Sequence, residues 1–451
     1  MELYNKMFNA VDALRPMICD AGDWLWKHPE TGYREVQSSK YLAEQYEALG
    51  YKLTFAGNVP GFYTTLDTGK PGPTLLLFSE LDSLICADHP DANPETGAVH
   101  ACGHSAQGAA LLGLAAALKQ EGVLDGLCGK IKLCVVPAEE LLETGFRETL
   151  RQQGIIKYFG GKVEFLRRGY FDDCDISFML HTSGGKNNFS INKGNIGCIT
   201  KNIAYKGVAS HAGGSPHAGV NALYAANLGL NAMNALRETF IDSDHIRVHP
   251  IITKGGNAVN AIPNDVTLES YVRGNTIEAI QKVNKKCNRA LAGTALAMGG
   301  NVSLCDRPGY MPLINDVNLN KVAEKAFKMV VGDENVSVSD GVGTGCTDMG
   351  DMSAVMPSVH PHVGGAAGTG HGNDYRIADP DSAYLNSAKA QLAMIRILLE
   401  NDAAEAKRVI AEKKLRYNSF EEYFKVMDSL TLDIAEAVKY LEDGNAQLTF
   451  C

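Results

Sequence analysis

Residues 97–119, GAVHACGHSAQGAALLGLAAALK, place His100, Cys102 and His104 at alternate positions around Ala101 and Gly103. Imidazole and thiolate are the usual ligands of a zinc-like ion, and Gly103 lets the backbone turn so that neighbouring side chains converge. Residues 109–118 are apolar almost all the way round. That composition predicts a helix buried on every side, holding the ligand loop rigidly against a core. The competing reading is a small buried loop in which the cysteine is only a compact hydrophobe. Ligands arriving from elsewhere in the chain decide between the two.

Such ligands are on offer. TLLLF at 74–78, IKLCVV at 131–136 and DISFML at 175–180 read as buried strands. Each delivers metal-ligand types just past its carboxyl end: Glu80 and Asp82, then Glu139 and Glu140 in PAEE, then His181. Helical segments lie between them, the pattern of an α/β sheet, whose sites sit beyond the carboxyl ends of the strands. A Gly-rich stretch at 340–375 adds His360, His362 and His371, and a loop of that kind on a rigid scaffold is where binding residues gather. Taken alone, Glu139-Glu140 is also a fair solvated helix start. His28, beside a helix end and Pro29, is read as a cap or a pocket wall.

The elements that must position these groups form two units. Residues 2–27 and 36–49 read as helices, the second stopped by Gly50. From residue 196 the texture changes to strand, helix, two strands, helix and strand, the βαββαβ order of a small ferredoxin-like sandwich. The expected organisation is therefore α/β: a mostly parallel-sheet metal-binding domain, residues 1–195 and 309–451, with residues 196–308 inserted. A helix is expected at 382–400, followed by a helical, charged tail to Cys451.

With 451 residues, 45% hydrophobic and 21% charged, the chain has ample material for two cores. A net charge of -10 without a Lys/Arg-rich run argues against a nucleic-acid partner. No apolar run is long enough to span a bilayer, and the start lacks a signal-peptide apolar region, so no membrane partner is expected. Eleven cysteines without framework spacing read as reduced thiols, pointing to the cytoplasm.

HPETGYRE (28–35), HACGH (100–104), PAEE (137–140), His181, CTDMGDMS (346–353) and GTGHGND (368–374) together resemble the aminoacylase, carboxypeptidase G and dipeptidase family of di-metal peptidases. The resemblance is greatest to its amidohydrolase branch, with hippurate hydrolase, auxin-conjugate hydrolases and aminobenzoyl-glutamate hydrolase subunits. It implies a di-metal catalytic domain carrying an inserted lid and dimerisation domain. It also implies two divalent ions, zinc or manganese before nickel or cobalt, with Cys102 bridging them and His104, Glu140, His181 and His371 completing the set. Glu139 would be the general base, Asp82 a supporting carboxylate, and His211 an oxyanion donor reaching a partner subunit in a homodimer. Asn260 and Arg273 would orient the substrate, and Arg307 would hold its carboxylate unless it forms a surface ion pair. The implied reaction is hydrolysis of an N-acyl or aminobenzoyl amino acid. A dipeptidase and a non-catalytic metal- or ligand-binding module are the alternatives. Ser105 and Gln107 depart from the branch pattern after HACGH, as Thr182-Ser183 do after His181.

Overall fold

Strand Thr74–Glu80 is buried along its whole length, and its side chains serve two cores. Leu75 and Leu77 enter one, Leu76 and Phe78 the other, because successive side chains of a strand point to opposite faces. Lys130–Val136 divides in the same way, Ile131, Leu133 and Val135 against Cys134 and Val136. The apolar runs at residues 75–78 and 133–136 are what strands covered on both faces require. These strands lie inside a six-stranded sheet in the order Thr54–Phe55, Phe62–Asp67, Lys130–Val136, Thr74–Glu80, Ile176–Phe178, Ser358–Val359. The first two pairings are antiparallel and the other three parallel. The computed structural model describes residues 2–451.

Helix His104–Leu118 is buried at every residue, as its composition demands. It packs on Thr74–Glu80, on helix Arg15–Lys27 and on the C-terminal helix that begins at Ser387. The N-terminal stretch expected as one helix is two, Glu2–Ala13 and Arg15–Lys27. Pro16 explains the break: it has no N–H to donate and suits the first turn of a new helix.

The inserted segment has its strands at Gly197–Lys206, Arg247–Lys254, Asp265–Gly274 and Asn301–Tyr310, with helices Ala222–Ala235 and Ile277–Ala297 between them. Its sheet is antiparallel throughout, in the order Arg247–Lys254, Asp265–Gly274, Gly197–Lys206, Asn301–Tyr310. That is the ferredoxin-like arrangement.

The tail departs from expectation. After helix Phe420–Ser429 it turns to strands, and Leu432–Ile434 adds to the inserted sheet, pairing Ile434 with Leu304. Asn301 Nδ2 donates to the Val438 carbonyl, and Tyr440 Oη donates to the Gly300 carbonyl, both at 2.8 Å. Residues 309–451 therefore do not all belong to the metal-binding unit. Without the tail, Asn301–Tyr310 would be an open sheet edge with unpaired backbone groups. Among the described residues no helix is long and apolar enough to cross a membrane.

Candidate active site

The HACGH loop turns at Gly103, whose φ of +102° is left-handed and whose missing Cβ would stand 2.5 Å from the Tyr375 hydroxyl oxygen. Only glycine fits there, and the turn starts the helix at His104. His104 Nδ1 lies 2.8 Å from the Asp82 carbonyl, and His181 Nδ1 lies 2.8 Å from the Thr182 carbonyl. A carbonyl only accepts, so both rings donate from Nδ1 and turn Nε2 inward. His181 Nε2 then stands 3.4 Å from Cys102 Sγ.

PAEE is delivered by a strained turn. Ala138 has a φ of +59°, uncommon for a residue with a Cβ. The buried Glu35 carboxylate accepts its N–H at 2.8 Å, and the buried Arg147 donates to the carbonyls of Ala138, Phe159 and Glu140. Gly32 leaves room for this: a Cβ there would lie 2.3 Å from the Arg147 guanidinium. The HPETGYRE motif thus acts by shaping the turn before Glu139. His28 caps the preceding helix, with Nδ1 2.7 Å from the Trp24 carbonyl.

Asp82 touches both halves of the cluster. Its Oδ1 is 3.3 Å from His104 Nδ1, and its Oδ2 accepts the Glu140 N–H at 2.7 Å. His371 is set by a φ of +64° and by its N–H donating to the Ala101 carbonyl at 2.8 Å, which brings Nε2 to 3.2 Å from Glu140 Oε1. Three overlapping groups result, each with donor atoms mutually within 4.8 Å. They are Cys102, His104 and His181; Cys102, Glu140 and His371; and Glu80, His104 and Glu139. Cys102 belongs to the first two. All five residues expected to bind metal are thereby gathered around one thiol.

The donor set fits a pair of divalent cations. His104 Nε2 and Glu140 Oε1 are buried without a hydrogen-bond partner, although each faces an atom of complementary type. Burial and Glu140 push the Cys102 thiol up, but His104 and His181 outweigh them and hold it at about 6. Burial raises Glu140 too, yet His371 draws it down to about 2. Glu139 is pushed well above the usual carboxyl range by burial first, then by Glu80 and Glu140. Its side chain makes no hydrogen bond among the described residues, and its Oε2 is 3.9 Å from His104 Nε2.

Other expected residues fall elsewhere. His100 is buried, its ring nitrogens have no partner, and it joins none of the three groups. His360 and His362 pack against His181, with ring centroids 5.7 and 5.8 Å away. Arg273 lies over the Tyr271 ring at 5.1 Å, near enough to Glu140 to feel its charge. His211 is exposed and turned to its own loop, where Nδ1 accepts the N–H groups of Gly213 and Gly214. Asn260 is exposed beside it, its carbonyl accepting the Ala212 N–H.

Arg307 is not a substrate residue in this arrangement. Its guanidinium is buried in a fork on Glu148, at 2.9 and 3.0 Å, and donates also to Asp433 and to the carbonyls of Asp306 and Leu432. Every donor is used, so no carboxylate ligand could be held without dismantling the anchor of the tail. The ion pair is real but interior.

The roles of Lys162, Asp348 and Gln107 carry no signal in the sequence. Lys162, fully buried, donates to Glu80 and, at 2.5 Å, to the buried Asp348. Gln107 clamps Glu80, accepting its N–H at 3.0 Å and donating to Oε2 at 2.9 Å. A glutamine three residues past HACGH reads by itself as a simple departure from the branch pattern, and a lysine in a short helix has no spacing rule to mark it.

Comparison with known proteins agrees with this geometry. The model of peptidase family M20/M25/M40 matches residues 76–396. The chain is 31% identical to human Xaa-Arg dipeptidase over 426 residues, 88% of this chain and 89% of that protein. It is 30% identical to a p-aminobenzoyl-glutamate hydrolase subunit of Escherichia coli over 306 residues, 65% of this chain and 58% of the relative's length. Among solved structures, a dinuclear metal binding peptidase of the M20 family from Bacillus subtilis superposes with a TM-score of 0.62 at 19% identity, covering 86% of this chain and 99% of that one. The matched span holds every residue of the three ligand groups, and by it the chain belongs to peptidase family M20/M25/M40.

Proposed function

We propose that the protein is a two-metal amidohydrolase that cleaves the amide joining an acyl, aminobenzoyl or aminoacyl group to a free amino acid. The observation that carries this reading is the sharing of Cys102 between two ligand groups, with Glu139 beside one of them. Bound there, a pair of divalent ions would activate water and polarise the amide carbonyl. His104, His181 and Cys102 would hold one ion, and Cys102, Glu140 and His371 the other. Glu139 takes the proton of the attacking water and returns it to the leaving amine. Its raised affinity for a proton suits the second task, and the nearby cations restore the carboxylate for the first. Sulfur and nitrogen donors favour zinc, with manganese, cobalt or nickel also accommodated.

His211 supports a dimeric site. Two backbone N–H groups donate to its Nδ1, so the neutral ring carries its proton on the exposed Nε2, ready to donate to an oxyanion. Ile251 and Ile252 are exposed on the edge strand Arg247–Lys254, and Tyr224 and Leu228 are exposed on the neighbouring helix. A second copy pairing along this edge would cover them and carry His211 to its partner's metals. All eleven cysteines are unpaired, which supports a reducing compartment such as the cytoplasm.

The test is metal analysis followed by assay of the reconstituted protein on N-acyl amino acids, aminobenzoyl amino acids and dipeptides. Release of the free amino acid from blocked substrates is expected. The similarity to human Xaa-Arg dipeptidase over 88% of the chain favours a second reading, a dipeptidase on the same site. Activity that requires a free amino group would select it. Two bound ions without hydrolysis of any such amide would overturn both readings.

A further inference from the structure

The Glu139 carboxyl makes no hydrogen bond among the described residues, so its place is set by the backbone that carries it. That backbone is gripped from two sides. From the metal-binding domain, Glu35 accepts the Ala138 N–H, Asp82 accepts the Glu140 N–H, and Arg147 donates to the Ala138 and Glu140 carbonyls. The carbonyl of Glu139 itself is met from the inserted segment: Tyr310 Oη donates to it, and Tyr271 Oη donates to the Leu141 carbonyl. These tyrosines stand on Asn301–Tyr310 and Asp265–Gly274, the strands that flank Gly197–Lys206. Further along, Thr144 donates to Asn202 at 2.7 Å and Glu148 accepts from Arg307. Residues 139–148 thus rest on the inserted sheet at four points. Tyr310 is shaped for its reach. Cys198 pairs with Tyr310 but Ile199 with Pro308, so Gly309 is the extra residue of a bulge, a device that re-aims the side chain beside it. Gly160 leaves room for the ring, since a Cβ there would overlap it. Burial first, then Asp348 and Glu139, hold the proton on the Tyr310 hydroxyl, which therefore stays a donor.

We propose that Tyr310, with Tyr271 beside it, is a positioning residue for the general base, and that through it the inserted domain sets where Glu139 stands. The inference rests on the reading of Glu139 as the base. Two peptide planes flank the Glu139 Cα. The first is held by Arg147 through the Ala138 carbonyl. The second is clamped between the domains, its N–H on Asp82 and its carbonyl under Tyr310. Without the hydroxyl that second plane is held on one side only and is free to tilt. A misplacement of about 1 Å at a reacting group costs on the order of a hundredfold in rate.

Tyr310→Phe tests this, because it keeps the ring and removes only the donor. On the blocked amino acid or dipeptide that wild type cleaves fastest, turnover should fall roughly ten- to a hundredfold, with KM and ion content unchanged. In the Glu139→Gln background the same substitution should cost nothing further, because the group it aims is gone. Amide exchange of the apo protein gives a readout apart from activity. Residues 138–142 should exchange at least about tenfold faster in Tyr310→Phe, with exchange elsewhere unchanged. A loss of turnover below tenfold, unaltered exchange at the turn, or the same loss in both backgrounds would overturn the positioning role while leaving Glu139 as the base. Near-normal turnover of Glu139→Gln itself would overturn the base and this inference with it. If Tyr310→Phe fails to fold, Gly160→Ala decides by the same readouts, since its methyl displaces the ring while the hydroxyl remains.

Discussion

Glu139→Gln separates chemistry from architecture because the side chain it alters is bonded to nothing in the protein. The Glu139 carboxyl is 8% exposed and makes no hydrogen bond among the described residues, and the Tyr310 hydroxyl reaches only its backbone carbonyl. The substitution therefore removes no hydrogen bond, only the distant 3.9 Å approach to His104, and changes volume hardly at all. What it removes is the proton acceptor, and loss of a positioned general base costs roughly a hundred- to ten-thousandfold in rate, or about 3–5 kcal/mol in barrier. Ion content and substrate KM should stay near wild type. The apo protein provides an independent check. Burial, Glu80 and Glu140 raise the Glu139 pKa in the fold, so its protonated form is the one the fold favours. Wild type and variant should thus be equally stable below the ordinary carboxyl pKa of about 4.5, with wild type falling behind as pH rises and the unfolded chain ionises more readily. Metal loading should erase that difference, since the ions stabilise the carboxylate. The measurements are kcat and KM with quantified metal, and urea midpoints of apo and loaded protein from pH 4 to 9. Turnover within tenfold of wild type at full metal content would assign the base elsewhere.

Three further outcomes follow from the same geometry. Cys102→Ala should lose both ions whereas His371→Ala loses one, by metal analysis after dialysis, and equal loss in the two variants would deny that the thiol is shared. Mixing inactive His211→Ala and Glu139→Gln subunits should restore up to about one quarter of wild-type activity by random exchange in a dimer; no recovery despite demonstrated exchange would remove His211 from the partner's site. Arg307→Met should leave KM unchanged but loosen residues 430–451 to limited proteolysis, and a rise in KM with an intact tail would return Arg307 to the substrate. In wild type the anchor should also yield to acid. Burial raises Glu148, but Arg151 and Arg307 draw it down to about 2, so its contribution is present above about 4.5 and fades as pH falls toward 2, where pepsin should cut the tail.

Chemistry and local structure were legible in the residues themselves. An all-apolar decapeptide after HACGH can only be an interior helix, and strands with continuous four-residue apolar runs belong in a covered sheet, which places the ligand types at their carboxyl ends together. The βαββαβ order was legible for the same reason, since period and turn signals are local. The decisions that needed the folded chain are those between residues far apart. Arg307 reads the same whether it waits for a carboxylate or is already spent on Glu148 and Asp433, and the answer depends on where the last twenty residues go. Those residues are charged and short of apolar periodicity; Leu432–Ile434 becomes strand because the open edge at Asn301–Tyr310 supplies its hydrogen bonds, while Val438–Tyr440 and Ala446–Leu448 pair with each other. Glu80, Lys162 and Asp348 stand far apart in the chain without a spacing rule, and a buried lysine between two carboxylates exists only once the sheet and two short helices have closed around it. Sequence thus determined which atoms could bind metal. Tertiary structure decided which of those atoms were already committed, because that depends on every partner each side chain has already found.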